Sequence, residues 1–189
     1  MQVAFSTTER VLRRIRNPVL FLVVGLMIGC SLQPPTGIKP VAPFDVQRYT
    51  GTWYEIARLD HAFERGLTDI RATYRFQPDG SIQVINRGYD ADDGEWREAI
   101  GKAFLTGNKG EASLKVSFFG PFYGGYHVAE LDAQYRWALI VGPNRDYFWI
   151  LARDKQLPQA LLDDLIQRAR LMGIATDQLI YCPQSRLEH

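Results

Sequence analysis

The segment 51–58 reads GTWYEIAR, and it constrains the fold more than any other part of the chain. A tryptophan two residues after a glycine opens a strand, and from there to Arg153 the sequence reads as short strands separated by tight turns. Residues 158–172 form the one convincing helical pattern, with apolar side chains on one face and polar side chains on the other. This order predicts an all-β fold, an eight-stranded antiparallel up-and-down β-barrel with one C-terminal α-helix packed on the outside.

Glycine, proline or polar turn residues bound the predicted strands. Successive strands run in opposite directions, so the loops after the first, third, fifth and seventh strands all lie at one end of the barrel. Two of these loops, 60–68 and the aromatic segment 119–125, are larger than the turns at the other end, which predicts an open mouth on their side. The predicted strands cover 52–60, 68–77, 81–89, 95–106, 112–119, 125–131, 135–141 and 146–153.

Three separated motifs, in this order, resemble the lipocalin family, and within it the bacterial outer-membrane lipocalins related to apolipoprotein D. They are the segment 51–58, the segment VSFFGPFYGGY at 116–126, and the segment that runs from Gly142-Pro143 to DYFWILAR at 146–153. The resemblance covers about 44–182. It implies a single ligand-holding barrel domain, which we delimit as 44–186.

The closed end of the barrel is expected beside Trp53, because the last strand runs back towards it and ends at Arg153. A guanidinium stacked on an indole is a favourable contact, worth about 1 kcal/mol or more when it is desolvated. The family places a matching tryptophan and arginine at this end. The resemblance therefore implies a structural closure by Gly51, Trp53 and Arg153 rather than a catalytic site.

Side chains alternate along a strand, so one parity of each strand faces the barrel interior. Aligned on the family motifs, the inward parity is mainly aliphatic and aromatic, which suits a fatty acid, a lysophospholipid or a similar amphiphile. The alternative is that these side chains fill a solid core. Glu55 shares the parity of Trp53, and a carboxyl buried there needs a partner or a proton. The predicted ligand contacts are Ala57, Tyr74, Val84, Asn86, Val116, Phe118, His127, Tyr147 and Trp149.

The glycine- and proline-rich segment 119–125 carries Phe119, Phe122 and Tyr123 at the predicted mouth. Loops are normally polar, so exposed aromatic side chains here predict a surface that admits ligand, contacts a membrane or binds a second copy of the chain. The alternative is a lid that folds over the barrel.

The first 30 residues read as a lipoprotein signal followed by its acylation site. Four arginines at 10–16 precede an apolar run at 18–28 that is too short to span a bilayer. Gly29-Cys30 then predicts a signal peptide at 1–29, acylation of Cys30 and a proline-rich tether at 30–43. Met27 stands where such sites prefer Leu, Val or Ile, so a plain secretory signal cut elsewhere is the alternative. The expected localisation is the periplasmic face of the outer membrane, held by a lipid anchor, and 187–189 read as a tag remnant.

Composition and motifs favour a binding protein over an enzyme. The net charge is +1, so no basic face for nucleic acid is implied. Outside 187–189 the only histidines are His61 and His127, and no Cys/His cluster has metal-ligand spacing. We therefore expect no cofactor, no metal and no catalytic site. Two other hypotheses are an envelope scaffold that docks or forms a homodimer through the aromatic loop, and a lipid-modifying enzyme. Cys182 is expected to be a small apolar side chain beside the barrel, and a crosslink between chains is the alternative.

Overall fold

The computed structural model describes residues 31–186, so the predicted signal peptide 1–29, Cys30 and the tail 187–189 lie outside the described residues. The described chain forms nine β-strands, two α-helices and a short 3-10 helix at Thr176–Gln178. The helices are α1 (Val46–Tyr49) and α2 (Gln159–Leu171). The strands are β1 (Gly51–Arg58), β2 (Leu67–Phe76), β3 (Ile82–Asp90), β4 (Glu95–Thr106), β5 (Ser113–Phe119), β6 (Phe122–Leu131), β7 (Trp137–Val141), β8 (Phe148–Ala152) and β9 (Ile180–Tyr181).

The strands β1 to β8 form an antiparallel meander that closes on itself. Each strand pairs with the next one, and β1 pairs with both β2 and β8. Closure satisfies the backbone groups that would otherwise be exposed at the edges of the sheet. The predicted eight-stranded barrel is confirmed, and the short β9 adds a further antiparallel pairing to the end of β1.

The connection between β5 and β6 is shorter than the sequence predicts. Phe119 pairs with Phe122, so the turn consists of residues 120 and 121, and β6 begins at Phe122 rather than at 125. Gly124 and Gly125 are strand residues opposite β5 rather than loop residues. Glycine adopts extended backbone as readily as turn backbone, so once the aromatic neighbours pair, a glycine pair does not force a loop.

Alternation along the strands separates two apolar cores. On β8, Leu151 faces the barrel interior, whereas Phe148 and Ile150 face outward and pack with Leu165 of α2. Full burial of a leucine or isoleucine side chain stabilises a fold by roughly 1.5–3 kcal/mol, so this outer core fixes α2 against the barrel. Among the described residues, no helix has both the length and the apolar character required to cross a membrane.

The segment 31–43 has no helix or strand, as its prolines predict, but it is bound to the barrel rather than free. Val41 donates a backbone hydrogen bond to the carbonyl of Val128 and accepts one from Ala112, each 2.9 Å long. Ile38 is buried in the outer core, and Arg145 donates to the carbonyl of Thr36. The tether prediction is therefore wrong for Thr36 to Val41, because this stretch is hydrogen-bonded to the barrel and packs Ile38 into its outer core.

Candidate functional site

One end of the barrel is sealed by Arg153 and Trp53. The guanidinium carbon of Arg153 lies 3.9 Å from the centroid of the Trp53 indole, and the indole Nε1 donates to the carbonyl of Tyr49 at 2.8 Å. Gly51 adopts a φ of +94°, and a Cβ atom there would lie 3.3 Å from Nη1 of Arg153. Both the backbone angle and the close approach favour glycine at this position. We call this end the floor of the barrel.

Three buried tyrosine hydroxyls lie above the floor. Tyr74 donates to the hydroxyl of Tyr126 at 2.9 Å, and the hydroxyls of Tyr126 and Tyr49 share a 2.6 Å hydrogen bond. Desolvation by burial raises the pKa of each of these phenols above its ordinary value. The hydroxyls are therefore neutral and satisfy one another, which leaves the floor polar but uncharged above Trp53.

A cavity of about 220 Å³ opens above this tyrosine cluster. The interior of the barrel is thus not a solid core. The cavity is smaller than the roughly 300–1,000 Å³ of ordinary small-molecule pockets, and its lining is mostly apolar and aromatic, so it suits one slender apolar chain. Seven of the nine predicted ligand contacts line it, namely Tyr74, Val84, Asn86, Val116, Phe118, Tyr147 and Trp149.

The prediction that Ala57 faces the cavity is wrong. The pairing of β1 with β8 shifts register between Glu55 and Ala57, which is a β-bulge. Because the extra residue reverses the parity of the strand, Ala57 is fully buried in the outer core with Ile56. Arg58 takes the inward position instead and contacts Glu55 inside the barrel.

The inward orientation predicted for His127 is also wrong. On β6 the cavity is lined by Gly124 and Tyr126, so the alternate residue His127 faces outward. Its Nδ1 shares a 2.9 Å hydrogen bond with the hydroxyl of Ser113 on β5, and burial lowers the pKa of its imidazole. His127 is therefore a neutral packing residue on the outside of the barrel, beneath the segment 31–43.

Two carboxyl groups of the cavity wall, Glu55 and Glu64, form a buried charged cluster with Arg58, and the sequence predicted this cluster only in part. Arg58 Nη1 donates to Glu55 Oε1 at 2.8 Å, and Arg58 Nη2 donates to the backbone carbonyl of Glu64 at 2.9 Å. Trp149 Nε1 donates to Glu64 Oε2 at 2.9 Å. All three charged side chains are at least nine-tenths buried. Alternation on β1 predicts that Glu55 faces inward. Glu64 lies on a loop, where the sequence has no periodicity from which its position could be predicted.

The protonation of this Glu–Arg–Glu cluster (Glu55, Arg58 and Glu64) follows from its burial. Desolvation raises the pKa of Glu55 to about 8, with a further increase from the charge of Glu64, while Arg58 acts in the opposite direction. Desolvation also raises the pKa of Glu64. Ionising both carboxyl groups around one guanidinium in a site away from water costs free energy. At neutral pH the pair therefore retains a proton.

The rim of the cavity is aromatic. His61 stacks on Tyr147 with ring centroids 4.9 Å apart and on Phe63 at 5.4 Å, and Trp149 lies against it at 4.6 Å. Burial lowers the pKa of His61 to about 4, so the stacked ring is uncharged at neutral pH. Phe63 is 59% exposed at this rim.

The tip of the β5–β6 hairpin does not cover the barrel. Phe119 is 81% exposed and Phe122 is 77% exposed, so the structure contradicts a lid for these two side chains. Tyr123 is half-buried, with the ammonium of Lys115 lying 4.9 Å from the centroid of its ring. The open end therefore presents two unburied phenylalanines on this hairpin, in addition to the exposed Phe63 on the loop after β1.

The described part of the chain contains neither an activated thiol nor a cluster of metal ligands. Cys182 is a free thiol buried beside the end of β1, where desolvation raises its pKa to about 12. Across residues 31–186, no group of three or more His, Cys, Asp or Glu side chains is placed to hold a metal ion.

A closed antiparallel barrel with a sealed floor, an open mouth and an apolar internal cavity defines a class of small-ligand-binding barrels. Residues 44–184 match the family model described as a lipocalin-like domain. The chain belongs to the lipocalin family.

Named relatives and a solved structure agree with this family. The chain is 49% identical over 160 residues to the outer membrane lipoprotein Blc of Citrobacter freundii, covering 84% of this chain and 90% of that protein. The corresponding protein of Vibrio cholerae is 48% identical over 171 residues, covering 90% and 99%. Apolipoprotein D of Mus musculus is 32% identical over 153 residues, covering 75% and 78%. Insecticyanin from the tobacco hornworm Manduca sexta has the same fold, with a TM-score of 0.65 at 20% identity over 79% of this chain and 85% of that one.

Proposed function

We propose that this protein is a lipid-anchored outer-membrane lipocalin that holds one fatty acid, lysophospholipid or similar single-chain amphiphile for storage, transport or scavenging. The observation that carries the proposal is the apolar cavity of about 220 Å³ between the tyrosine cluster and the open mouth. Each methylene group buried there contributes about 0.8 kcal/mol, so even a partly filled cavity gives useful affinity for an alkyl chain. The proposal is a binding protein without cofactor or catalytic step.

The anchor is proposed at Cys30, and the names of the relatives as outer membrane lipoproteins support it. The described chain begins at Ser31, whose carbonyl oxygen lies 2.8 Å from where a Cβ atom on Gly125 would be. Gly125 is three residues from Phe122 at the tip of the hairpin, which corresponds to about 10 Å of strand. The start of the described chain therefore lies close to the mouth, on the side of the exposed Phe119 and Phe122.

This arrangement supports ligand exchange directly with the bilayer. The exposed phenylalanines bury apolar surface when they contact the membrane to which the anchor holds the protein. A ligand would then move between the bilayer and the cavity without crossing open water.

A second candidate function is an envelope scaffold or homodimer that docks through the hairpin tip. The same exposure of Phe119 and Phe122 favours it, because apolar side chains at the centre of an interface contribute much of its affinity. The two candidates differ in whether the cavity is used.

A chain-length series tests the leading proposal. Saturated lysophospholipids and fatty acids of increasing length are titrated against the protein while its tryptophan fluorescence is followed, to which Trp149 in the cavity wall contributes. Affinity should increase roughly fourfold for each added methylene group until the cavity is full. Val84→Ala in the cavity wall should weaken binding, whereas the matched truncation Ile100→Ala, at a side chain 58% exposed on β4, should not. The absence of any chain-length dependence would favour the scaffold instead.

A further inference from the structure

The ionisable acidic or basic side chains in the cavity wall are two carboxyl groups, which accept hydrogen bonds when they are ionised. Glu55 and Glu64 line its wall, and no lysine, arginine or histidine side chain within residues 31–186 lines it. The amide oxygen of Asn86, another lining residue, is buried without a hydrogen-bond partner in that part of the chain. A buried acceptor without a donor is costly, so a ligand that donates hydrogen bonds gains affinity here.

The guanidinium and indole donors near the cavity are already used. Arg58 binds Glu55 and the carbonyl of Glu64 through its two terminal nitrogens, and its Nε is sealed from solvent. Trp149 donates to Glu64, and Tyr74 donates to another tyrosine hydroxyl. An anionic head group would therefore face two carboxyl groups and could not reach the guanidinium that compensates them.

Each carboxyl group keeps one oxygen for a ligand. Arg58 contacts Oε1 of Glu55, which leaves Oε2, and Trp149 contacts Oε2 of Glu64, which leaves Oε1. When both carboxyl groups are ionised, the Glu–Arg–Glu cluster carries one uncompensated negative charge. A ligand cation would supply the missing positive charge inside a region of low dielectric, where such pairing is strongest.

We propose that Glu55, Glu64 and Asn86 form a head-group site for the ammonium group of a long-chain amine-bearing amphiphile. This inference rests on the proposed function, because it assumes that the barrel holds a single-chain amphiphile. Glu64 lies on the loop that follows β1 at the mouth, so the ammonium group binds near the open end. The alkyl chain extends inward along Val84 and Val116.

The affinity of this site for a charged ligand depends on pH. The ionisable groups around Glu55 are Arg58 on the same strand, Glu64 on the next loop and the thiol of Cys182 behind the wall. Because the pKa of Glu55 is raised to about 8, this group is protonated when the cavity is empty at neutral pH. An ammonium ligand replaces that proton, so its affinity rises with pH up to about 8. A carboxylate ligand must bring a proton into the cavity, so its affinity falls over the same range.

The test compares three ligands that share one alkyl chain: dodecylamine, dodecanol and dodecanoate. Binding to the whole folded protein is measured by fluorescence and by calorimetry from about pH 6 to about pH 9, where the amine stays charged because its pKa is close to the 10.4 of lysine. Dodecylamine should bind roughly tenfold to a hundredfold more tightly than dodecanoate at about pH 8, the size of a charge-assisted hydrogen bond. The two pH slopes should have opposite signs.

Glu55→Gln and Glu64→Gln should each reduce the affinity for dodecylamine by roughly tenfold or more while changing that for dodecanol far less. The matched control is Glu98→Gln, which removes the same charge from an exposed side chain on β4. If dodecanoate binds as tightly as dodecylamine, or if both cavity variants keep the wild-type preference, the head-group site is refuted while the amphiphile cavity stands. If none of the three ligands binds, the proposed function fails as well.

Discussion

Arg153→Ala removes the side chain that seals the floor, and its cost can be worked from the contacts. The guanidinium donates to the backbone carbonyls of Thr52 at 2.8 Å and of Arg48 and Thr50 at 2.9 Å, besides lying over the Trp53 indole. A half-buried hydrogen bond contributes about 1 kcal/mol net, and the cation–π contact contributes about 1 kcal/mol. The loss should therefore be roughly 3–4 kcal/mol, which corresponds to a melting temperature about 10 °C lower.

Thermal unfolding followed by circular dichroism measures this change, and ligand titration below the transition measures affinity per folded molecule. Arg153→Lys is the matched control, because it keeps the charge but cannot donate to several carbonyls in one plane. It should recover only part of the lost stability. Affinity should be nearly unchanged in both variants, since Arg153 does not line the cavity. A normal melting temperature together with lost ligand binding would refute the assignment of this end as the floor.

Three further predictions follow from the anchor, the hairpin tip and the carboxyl cluster. Cys30→Ala should move the protein from the membrane fraction to the soluble fraction on cell fractionation, and unchanged partition with an unchanged mature mass would contradict acylation there. The double variant of Phe119→Ser and Phe122→Ser should keep its melting temperature within about 2 °C, because both side chains are exposed, but should lose flotation with liposomes; early unfolding would show that they belong to the core. The folded-state pKa of Glu55, about 8, lies above its unfolded value near 4.5, so its ionisation destabilises the fold, and stability should fall as pH rises between these values. Glu55→Gln should flatten that pH dependence of the melting temperature, and an equally steep dependence would contradict the buried proton.

Alternation along unbroken strands was sufficient to predict much of the cavity wall. Tyr74 on β2 pairs with Val84 on β3 without a register shift between them, so their parity can be counted from the motifs. The same holds for Trp149, because β8 pairs with β7 residue by residue. The floor residues Gly51, Trp53 and Arg153 could also be placed, since they end strands whose directions follow from the meander.

The wrong orientations predicted for Ala57 and His127, and the unpredicted position of Glu64, have local causes that a single sequence does not reveal. Ala57 follows a bulge that contains no glycine, so the sequence of the segment 51–58 does not indicate that the side chains change faces there. The orientation of His127 depends on the register of β5 against β6, which shifts between Val116 and Phe119 next to the two-residue turn, and the glycines of this segment do not reveal that shift. Glu64 enters the cavity wall from a loop, where its position is fixed only by the tertiary contact with Trp149.

The most direct test of the central claim is native mass spectrometry of the full-length protein purified from its own envelope in mild detergent. We expect a native mass that exceeds the denatured mass by one amphiphile per barrel, while the acyl group on Cys30 remains in both spectra. Ala72→Phe, which projects into the cavity from β2, should abolish the difference without removing the anchor. A native mass equal to the denatured mass in wild-type protein, or an extra mass that persists in Ala72→Phe, would contradict ligand binding inside the barrel.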